Sequence, residues 1–252
     1  MDTKHSPKAP APASPGAISS AWRTGSTPPP KSPEPAHHPS HPTGEPHGRF
    51  FRPMDWLTFI LVTLFVMAGY LYTVAPDLTL EDSGELAVGS MYAGVPHPPG
   101  YPVWTLYSWL FTKILPFSSI AWRVAVSSAV AAALSAGLTA LLISRGSSLI
   151  LEGIDLFKDL PRRTENAITF VAAWVGGSLL GFNGFIWSQG VIVEVYTLAV
   201  LNLVGMFCLL LMWMYRPDRR RYLHGVFFLF GLCLCNHQTL IVAAMGIEVA
   251  IA

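Results

Sequence analysis

Residues 55–74 read DWLTFILVTLFVMAGYLYTV, twenty residues with one charged side chain, and that at the very start. As a helix rising 1.5 Å per residue, such a run is about 30 Å long, the depth of a bilayer's hydrocarbon core. Arg49 and Arg52 flank its start, and Trp56, Tyr70 and Tyr72 stand near its ends, where aromatic side chains sit at a membrane interface. The stretch reads as a spanning helix, and it restricts everything joined to it.

Comparable segments follow at 121–144, 166–187, 191–215 and, shorter, 222–235, with a last apolar run at 239–252. Charged residues make up 12% of the chain, half the ~25% of a soluble domain, as expected when lipid is the solvent. The fold class expected is all-α: a polytopic integral membrane protein with about six spanning helices. The Ala and Ser content of 121–144 suits close approach between helices. The sequence ends inside its final apolar run, so the chain is expected to be the N-terminal part of a longer protein.

The first 52 residues are different in kind. Segments such as PPPKSPEP and HHPSHPTGEPH bury too little apolar surface to offset the entropy of ordering them, so 1–52 is expected to be a disordered tail and 53–252 the transmembrane domain. The tail also lacks the early apolar core of a signal peptide. No metal site is expected. His37, His38, His41 and His47 lie among prolines, and Cys233 and Cys235, two apart, point to different helix faces. The arginine clusters are short and sit at span ends, which excludes nucleic acid as an expected partner.

Between the first two clear spans lies APDLTLEDSGELAVGSMYAGVPHPPGYPVW, residues 75–104, with Asp77, Glu81, Asp82 and Glu85 and no Lys or Arg. A short amphipathic helix is expected from Asp82. The proline stretch after it must turn. Residues 101–115 make an apolar segment too short to span comfortably and read as interfacial. On that topology Arg145, Lys158, Arg162, Arg163, Arg216 and Arg219 to Arg221 share the side of the N-terminal tail, as the positive-inside rule requires. Asp82, Glu85, His97, Arg123, Glu194 and His237 then all fall on the other, non-cytoplasmic side. The expected location is a multi-pass protein of the cell inner membrane, with a cytoplasmic N-terminus and an active face turned to the periplasm or exterior.

Each of these groups has two readings. Asp82 and Glu85 fit a helix N-cap and its N3 partner, or a desolvated carboxylate acting as general base. His97, in HPPGYP with Tyr101, is part of a rigid turn or a donor to a phosphate or sugar hydroxyl. Arg123 is a snorkelling anchor or a phosphate clamp. Glu194 suits a helix N-terminus, and with Trp187, Gln189 and Tyr196 it could stack on and hydrogen-bond to a sugar. Asn236 and His237 interrupt a span or reach the same face. Glu248, inside an apolar run, would suit a coupling group in a transporter or flippase, the alternative function considered.

Four blocks together, LEDSGELA, GVPHPPGYPVWTL, WSQGVIVEVYTL and GLCLCNHQT, with AWRV at 121–124, resemble the membrane O-mannosyltransferases that act on plexin-type receptors and their bacterial relatives, polytopic glycosyltransferases of the GT-C class. The resemblance implies a GT-C-like fold with two juxtamembrane helices in the first outer loop, here 82–94 and 101–115. It implies a polyprenyl-phosphate sugar as donor, so that no nucleotide cofactor is needed, and a hydroxyl acceptor, a protein in that family. It places the catalytic acid at Asp82, with Glu85 second; convergence on one face makes His97, Tyr101, Arg123, Gln189, Glu194, Tyr196, Asn236 and His237 the expected substrate-binding set.

Overall fold

The computed structural model describes residues 50–79, 81–237, 246 and 249, all within the compact unit Gly48–Ala252. Among them the chain is helical without a strand. In order come α1 (Pro53–Thr73), α2 (Ser83–Tyr92), α3 (Pro102–Ile114), α4 (Ile120–Gly153), a 3-10 turn (Asp155–Phe157), α5 (Arg162–Gly181), α6 (Gly184–Gly190), α7 (Tyr196–Tyr215) and α8 (Arg221–Leu234).

Three helices, α1, α4 and α7, are long and apolar enough to cross a membrane, and α5 with α6 makes a fourth span if the bent pair counts as one. This is an integral membrane protein of the all-α class, as expected. Among the described residues α8, with 14 residues, is a shorter apolar helix, and the expected run at 239–252 with Glu248 lies outside the described residues but for 246 and 249. The two short helices expected between the first spans are α2 and α3.

α1 turns Thr58, Val62, Val66 and Tyr70 inward, spaced four apart and so stacked on one face. They meet Ala129, Ala132, Ala133, Ala136 and Ala140 of α4, whose small side chains bring the backbones close. α5 crosses the same pair at Gly177, where an added Cβ would lie 2.8 Å from the Ala136 carbonyl oxygen and 2.9 Å from Val62. Trp56, Leu57, Ile60, Leu64 and Phe65 remain exposed on the other side of α1, as a lipid-facing surface should.

Two boundaries differ from expectation. α4 does not stop at Arg145 but runs 34 residues to Gly153. Arg145 reaches along its own helix to Ser148 (3.4 Å) and Glu152 (3.7 Å), neighbours on one helical face that sustain the extra turns. The expected third span, 166–187, is broken at 182–183 with a bend of 62°, and Ser188–Gly190, the expected gap before the next span, is the end of α6. Asn183 starts α6 by accepting a hydrogen bond from the Phe185 N–H (3.0 Å), the use to which a short polar side chain is put at an N-cap.

Polar groups gather at the two ends of the bundle. At one end Asp55, fully buried, accepts from the Arg52 backbone N–H (2.8 Å) and guanidinium (3.2 Å) and from Ser144 Oγ (2.6 Å). Arg52 also pairs with Glu165 (2.5 Å), and the Arg145 guanidinium lies over the Phe50 and Tyr215 rings. At the other end the Ala75 N–H meets the Val191 carbonyl (2.8 Å) and Trp187 Nε1 donates to Thr73 Oγ1 (3.1 Å). That second end holds acids of the first loop and its one imidazole, His97.

Candidate functional site

Ser83 ties down the turn that opens α2: its hydroxyl donates to the Thr79 carbonyl (2.6 Å) and accepts from the Thr79 N–H (3.0 Å). α2 docks on α3 through Ser90 and Ser108, whose hydroxyls are 2.7 Å apart. The chain leaves α2 through a left-handed residue, Ala93 (φ 51°), and re-enters helix through Gly100 (φ 91°) and Tyr101 (φ 42°). Gly100 suits its positive φ; Tyr101 does not, and backbone of that kind is held only by its surroundings. The reversal swings the proline turn back over the start of α2.

His97 is thereby set against Glu85. Its backbone N–H donates to Glu85 Oε1 (2.6 Å) and its ring Nδ1 lies 3.2 Å from Glu85 Oε2. The other ring nitrogen, Nε2, faces the Tyr101 hydroxyl at 3.2 Å and Asp82 Oδ2 at 3.8 Å. A carboxylate on Nδ1 holds that nitrogen as the donor and leaves Nε2 as an acceptor. The capping box expected of Asp82-Ser83-Gly84-Glu85 is not made: Asp82 stands at the N-cap without a side-chain bond, and Glu85 is taken up by His97. Nor is Asp82 desolvated, since its side chain is 61% exposed.

Tyr101 links this cluster to a second one. Its ring stacks on His237 (centroids 6.0 Å apart, 5° between planes), and His237 also packs on Tyr196 (4.6 Å). The end of α8 reaches this place by a bond from the Val103 N–H to the Cys235 carbonyl (3.5 Å). Burial, then the negative charges of Tyr196, Glu194, Asp82 and Glu85, push the Tyr101 hydroxyl above its usual pKa. Burial pulls His237 below the usual histidine value. Asn236 beside it is buried with both amide atoms unpartnered.

Glu194 lies in the connector before α7, not in its first turn as expected, and is buried. Its carbonyl accepts from Trp104 Nε1 (3.0 Å) and Ser128 Oγ (3.1 Å), so α3 and α4 both hold it. Its carboxyl group accepts the Val195 N–H (2.8 Å). Burial raises its pKa, the Val195 N–H opposes that, and the charges of Glu81 and Asp82 raise it further. Sequence reasoning did not include Glu81 among the site residues. Its position beside Asp82 was visible, but not its left-handed backbone (φ 68°) or the action of its charge on Glu194.

The remaining candidates lie elsewhere. Arg123 is committed to carbonyls: Nε to Phe117 (3.0 Å), one terminal nitrogen to Thr112 (3.1 Å), the other to Ser118 (3.0 Å). It closes the α3–α4 turn, at the end of α3 away from Tyr101, because α3's last carbonyls need a donor and the guanidinium supplies a fork of them. The group expected from Trp187, Gln189 and Tyr196 is not formed. Trp187 packs on Phe182 and bonds Thr73, and Phe185 is the ring that meets Tyr196, since residues two apart on α6 face different ways. Gln189 is half-buried with its amide oxygen unpartnered.

In chemical terms the cluster offers a solvent-facing carboxylate, an imidazole oriented by a second carboxylate, and a phenol bridging two imidazoles. Asp82, Glu85 and His97 also present one ligand atom each within 4.8 Å of one another, a set of oxygen and nitrogen donors that could hold a divalent cation.

A family model described as the Protein O-mannosyl-transferase TMEM260 N-terminal domain matches residues 82–252, more than half of the chain. A Protein O-mannosyl-transferase tmem260 of Dictyostelium discoideum is 36% identical over 72 residues, 27% of this chain and 9% of that protein. The Protein O-mannosyl-transferase TMEM260 of Mus musculus is 27% identical over 186 residues, 72% of this chain and 24% of the relative. The chain thus spans about a quarter of the mouse protein's length at most. No solved structure matches.

Proposed function

The chain belongs to the family of the Protein O-mannosyl-transferase TMEM260 N-terminal domain, and from that premise we propose that it is the catalytic-end portion of a membrane glycosyltransferase. It moves a mannose-like sugar from a polyprenyl-phosphate donor to a hydroxyl on a protein acceptor, on the non-cytoplasmic face. The observation that carries this reading is the meeting of Asp82, Glu85, His97, Tyr101, Tyr196 and His237, drawn from four separate parts of the chain, at one end of the helix bundle.

In the proposed reaction Asp82 takes the proton of the acceptor hydroxyl. The oxygen attacks the anomeric carbon, the bond from that carbon to the phosphate oxygen breaks, and polyprenyl phosphate leaves with inversion. Asp82 is open to solvent. His97, fixed by Glu85 and aimed at Asp82 and Tyr101, orients the acceptor or donates to the leaving phosphate when protonated. His237 and Tyr196 wall the donor side. Arg123 has three of its five N–H donors on the carbonyls of the α3–α4 turn, which sets its guanidinium at the far end of α3 from Tyr101.

The test is transfer by the full-length protein, supplied with a panel of polyprenyl-phosphate sugars, for wild type and Asp82→Asn. A positioned general base contributes about 10²- to 10⁴-fold, so the variant should lose at least a hundredfold in turnover at unchanged expression. Unaltered turnover would remove Asp82 from the reaction.

A further inference from the structure

The turn between α7 and α8 reads Arg216-Pro217-Asp218-Arg219-Arg220-Arg221, four arginines around one acid, and the reaction proposed above uses none of them. α7 is about 30 Å long, and the turn lies at the end away from Asp82. Tyr196, the first residue of α7, packs on His237 in the candidate site. Tyr215, the last, meets the Phe50 ring (5.3 Å) and lies under the Arg145 guanidinium (5.8 Å). The turn is tight. The Arg219 N–H donates to the Arg216 carbonyl (3.0 Å), the Tyr222 N–H to the Arg219 carbonyl (3.2 Å) and the His224 N–H to the Arg220 carbonyl (3.0 Å). These bonds confine the four arginines to one corner of the bundle.

The fold does not account for this concentration of charge. Other cations at the same end have acids: Arg52 pairs with Asp55 (3.2 Å) and Glu165 (2.5 Å), Arg145 with Glu152 (3.7 Å), and Lys158 with Asp155. Among the described residues Arg219, Arg220 and Arg221 make no ion pair. Arg221 donates to the Tyr222 hydroxyl (3.1 Å) and lies over that ring (5.0 Å). Arg216 follows the last turn of α7, where the helix dipole favours a cation. The other three stand where α8 begins, and the first turn of α8 holds no acid. A cation there is opposed by the dipole. Three side by side also repel one another, so the arrangement is unfavourable until an anion meets it.

Its surroundings decide which anion. α7 is long and apolar enough to cross a membrane, and Met214 and Tyr215 are exposed at its last turn. On the other side of the turn α8 exposes Phe227 and Phe228. Guanidinium groups flanked by exposed apolar and aromatic side chains lie where hydrocarbon gives way to headgroups. At that depth Arg220 and Arg221 are exposed, and Arg216 and Arg219 are half-buried. The planar fork of a guanidinium matches a pair of phosphate oxygens. A zwitterionic headgroup suits the turn less, because its ammonium would meet four like charges and one acid, Asp218.

We propose that the α7–α8 turn binds the headgroup phosphate of an anionic phospholipid, with Arg219, Arg220 and Arg221 as the donors. A sugar donor at the candidate site would have its phosphate at the opposite end of α7, so the two sites are separate. The lipid site does not rest on the function proposed above.

The experiment uses the full-length protein in nanodiscs holding equal amounts of phosphatidylglycerol and phosphatidylcholine. Each lipid in turn carries a photoactivatable group at its headgroup, and crosslinks are mapped along the chain by mass spectrometry. In the wild type, crosslinks within 213–224 should favour phosphatidylglycerol. One arginine near an anionic surface contributes about a fivefold preference. The variant with Arg219→Gln, Arg220→Gln and Arg221→Gln should therefore lower the ratio at least about tenfold. Added salt should lower the wild-type ratio, since exposed charges are screened. Arg219→Lys, Arg220→Lys and Arg221→Lys together keep the charge and should keep the preference, which separates loss of charge from misfolding. Equal labelling by the two lipids in the wild type overturns the proposal, as does a ratio that survives the Gln substitutions or falls as far with Lys as with Gln. Inorganic phosphate added at constant ionic strength should leave the ratio unchanged; if it abolishes the preference, the turn binds soluble phosphate and the lipid assignment falls.

Discussion

Replacing Glu85 by Ala separates orientation from chemistry at this site. Glu85 receives two bonds from His97, the backbone N–H at 2.6 Å and the ring Nδ1 at 3.2 Å, and its side chain is 51% exposed. A bond to a charged acceptor is worth about 1.5–3 kcal/mol when sheltered, and solvent at this exposure reduces each to about 0.5–1 kcal/mol. The pair together therefore holds the proline turn by about 1–2 kcal/mol, and each 1.4 kcal/mol is a factor of ten in population. If Glu85 only orients His97, Glu85→Ala should lower kcat/KM about 5- to 30-fold. Asp82→Asn, which removes the base itself, should cost about 10²–10⁴-fold. The assay is steady-state transfer by the full-length protein with both variants side by side. A loss in Glu85→Ala as large as that of Asp82→Asn would make Glu85 the base and refute this division of roles; no loss at all would show that the turn is held by its prolines alone.

Two further outcomes are expected. Asp55→Ala should lower thermal stability in detergent by about 3 kcal/mol, the lower end for breaking a buried ion pair, since Arg52 keeps Glu165 as a partner; a Tm equal to wild type by tryptophan fluorescence would refute it. The Tyr101–His237 stack should weaken in acid. Burial lowers the His237 pKa, so its contribution is whole above the ordinary histidine value and lost as pH falls through and below it, and thermal melts from pH 7 to 5 should show a decline that His237→Asn removes.

How much could be read before the fold was known differs from residue to residue. α1 and α7 were legible because twenty apolar residues in lipid have one solution. Glu85 and His97 were legible as candidates because the loop is short and its acids and imidazole lie within sixteen residues of one another. The break at Asn183 was harder, since N-capping by Asn competes with a continuous apolar pattern and the pattern spoke louder. The placement of Arg123 was hidden for a related reason. A lone arginine at a span start suggests headgroups, yet the carbonyls of Thr112, Phe117 and Ser118 lay close by and unsatisfied. Glu81 could not be found, because what marks it is the action of its charge on Glu194, more than a hundred residues away.

Sequence by itself determined the solvent: long uncharged runs demand lipid, and lipid demands helices that satisfy their own backbones. It also determined which residues carry charge between those runs. Tertiary structure alone decided which charges meet. Glu194 is held at the end of the bundle because Trp104 of α3 and Ser128 of α4 grip its backbone, and His97 faces Glu85 because Ala93, Gly100 and Tyr101, all at positive φ, turn the proline stretch back on α2. Hydrophobicity acts on each segment separately and is written along the chain. Contacts between distant polar groups depend on how the segments pack, and a local pattern contains no record of that.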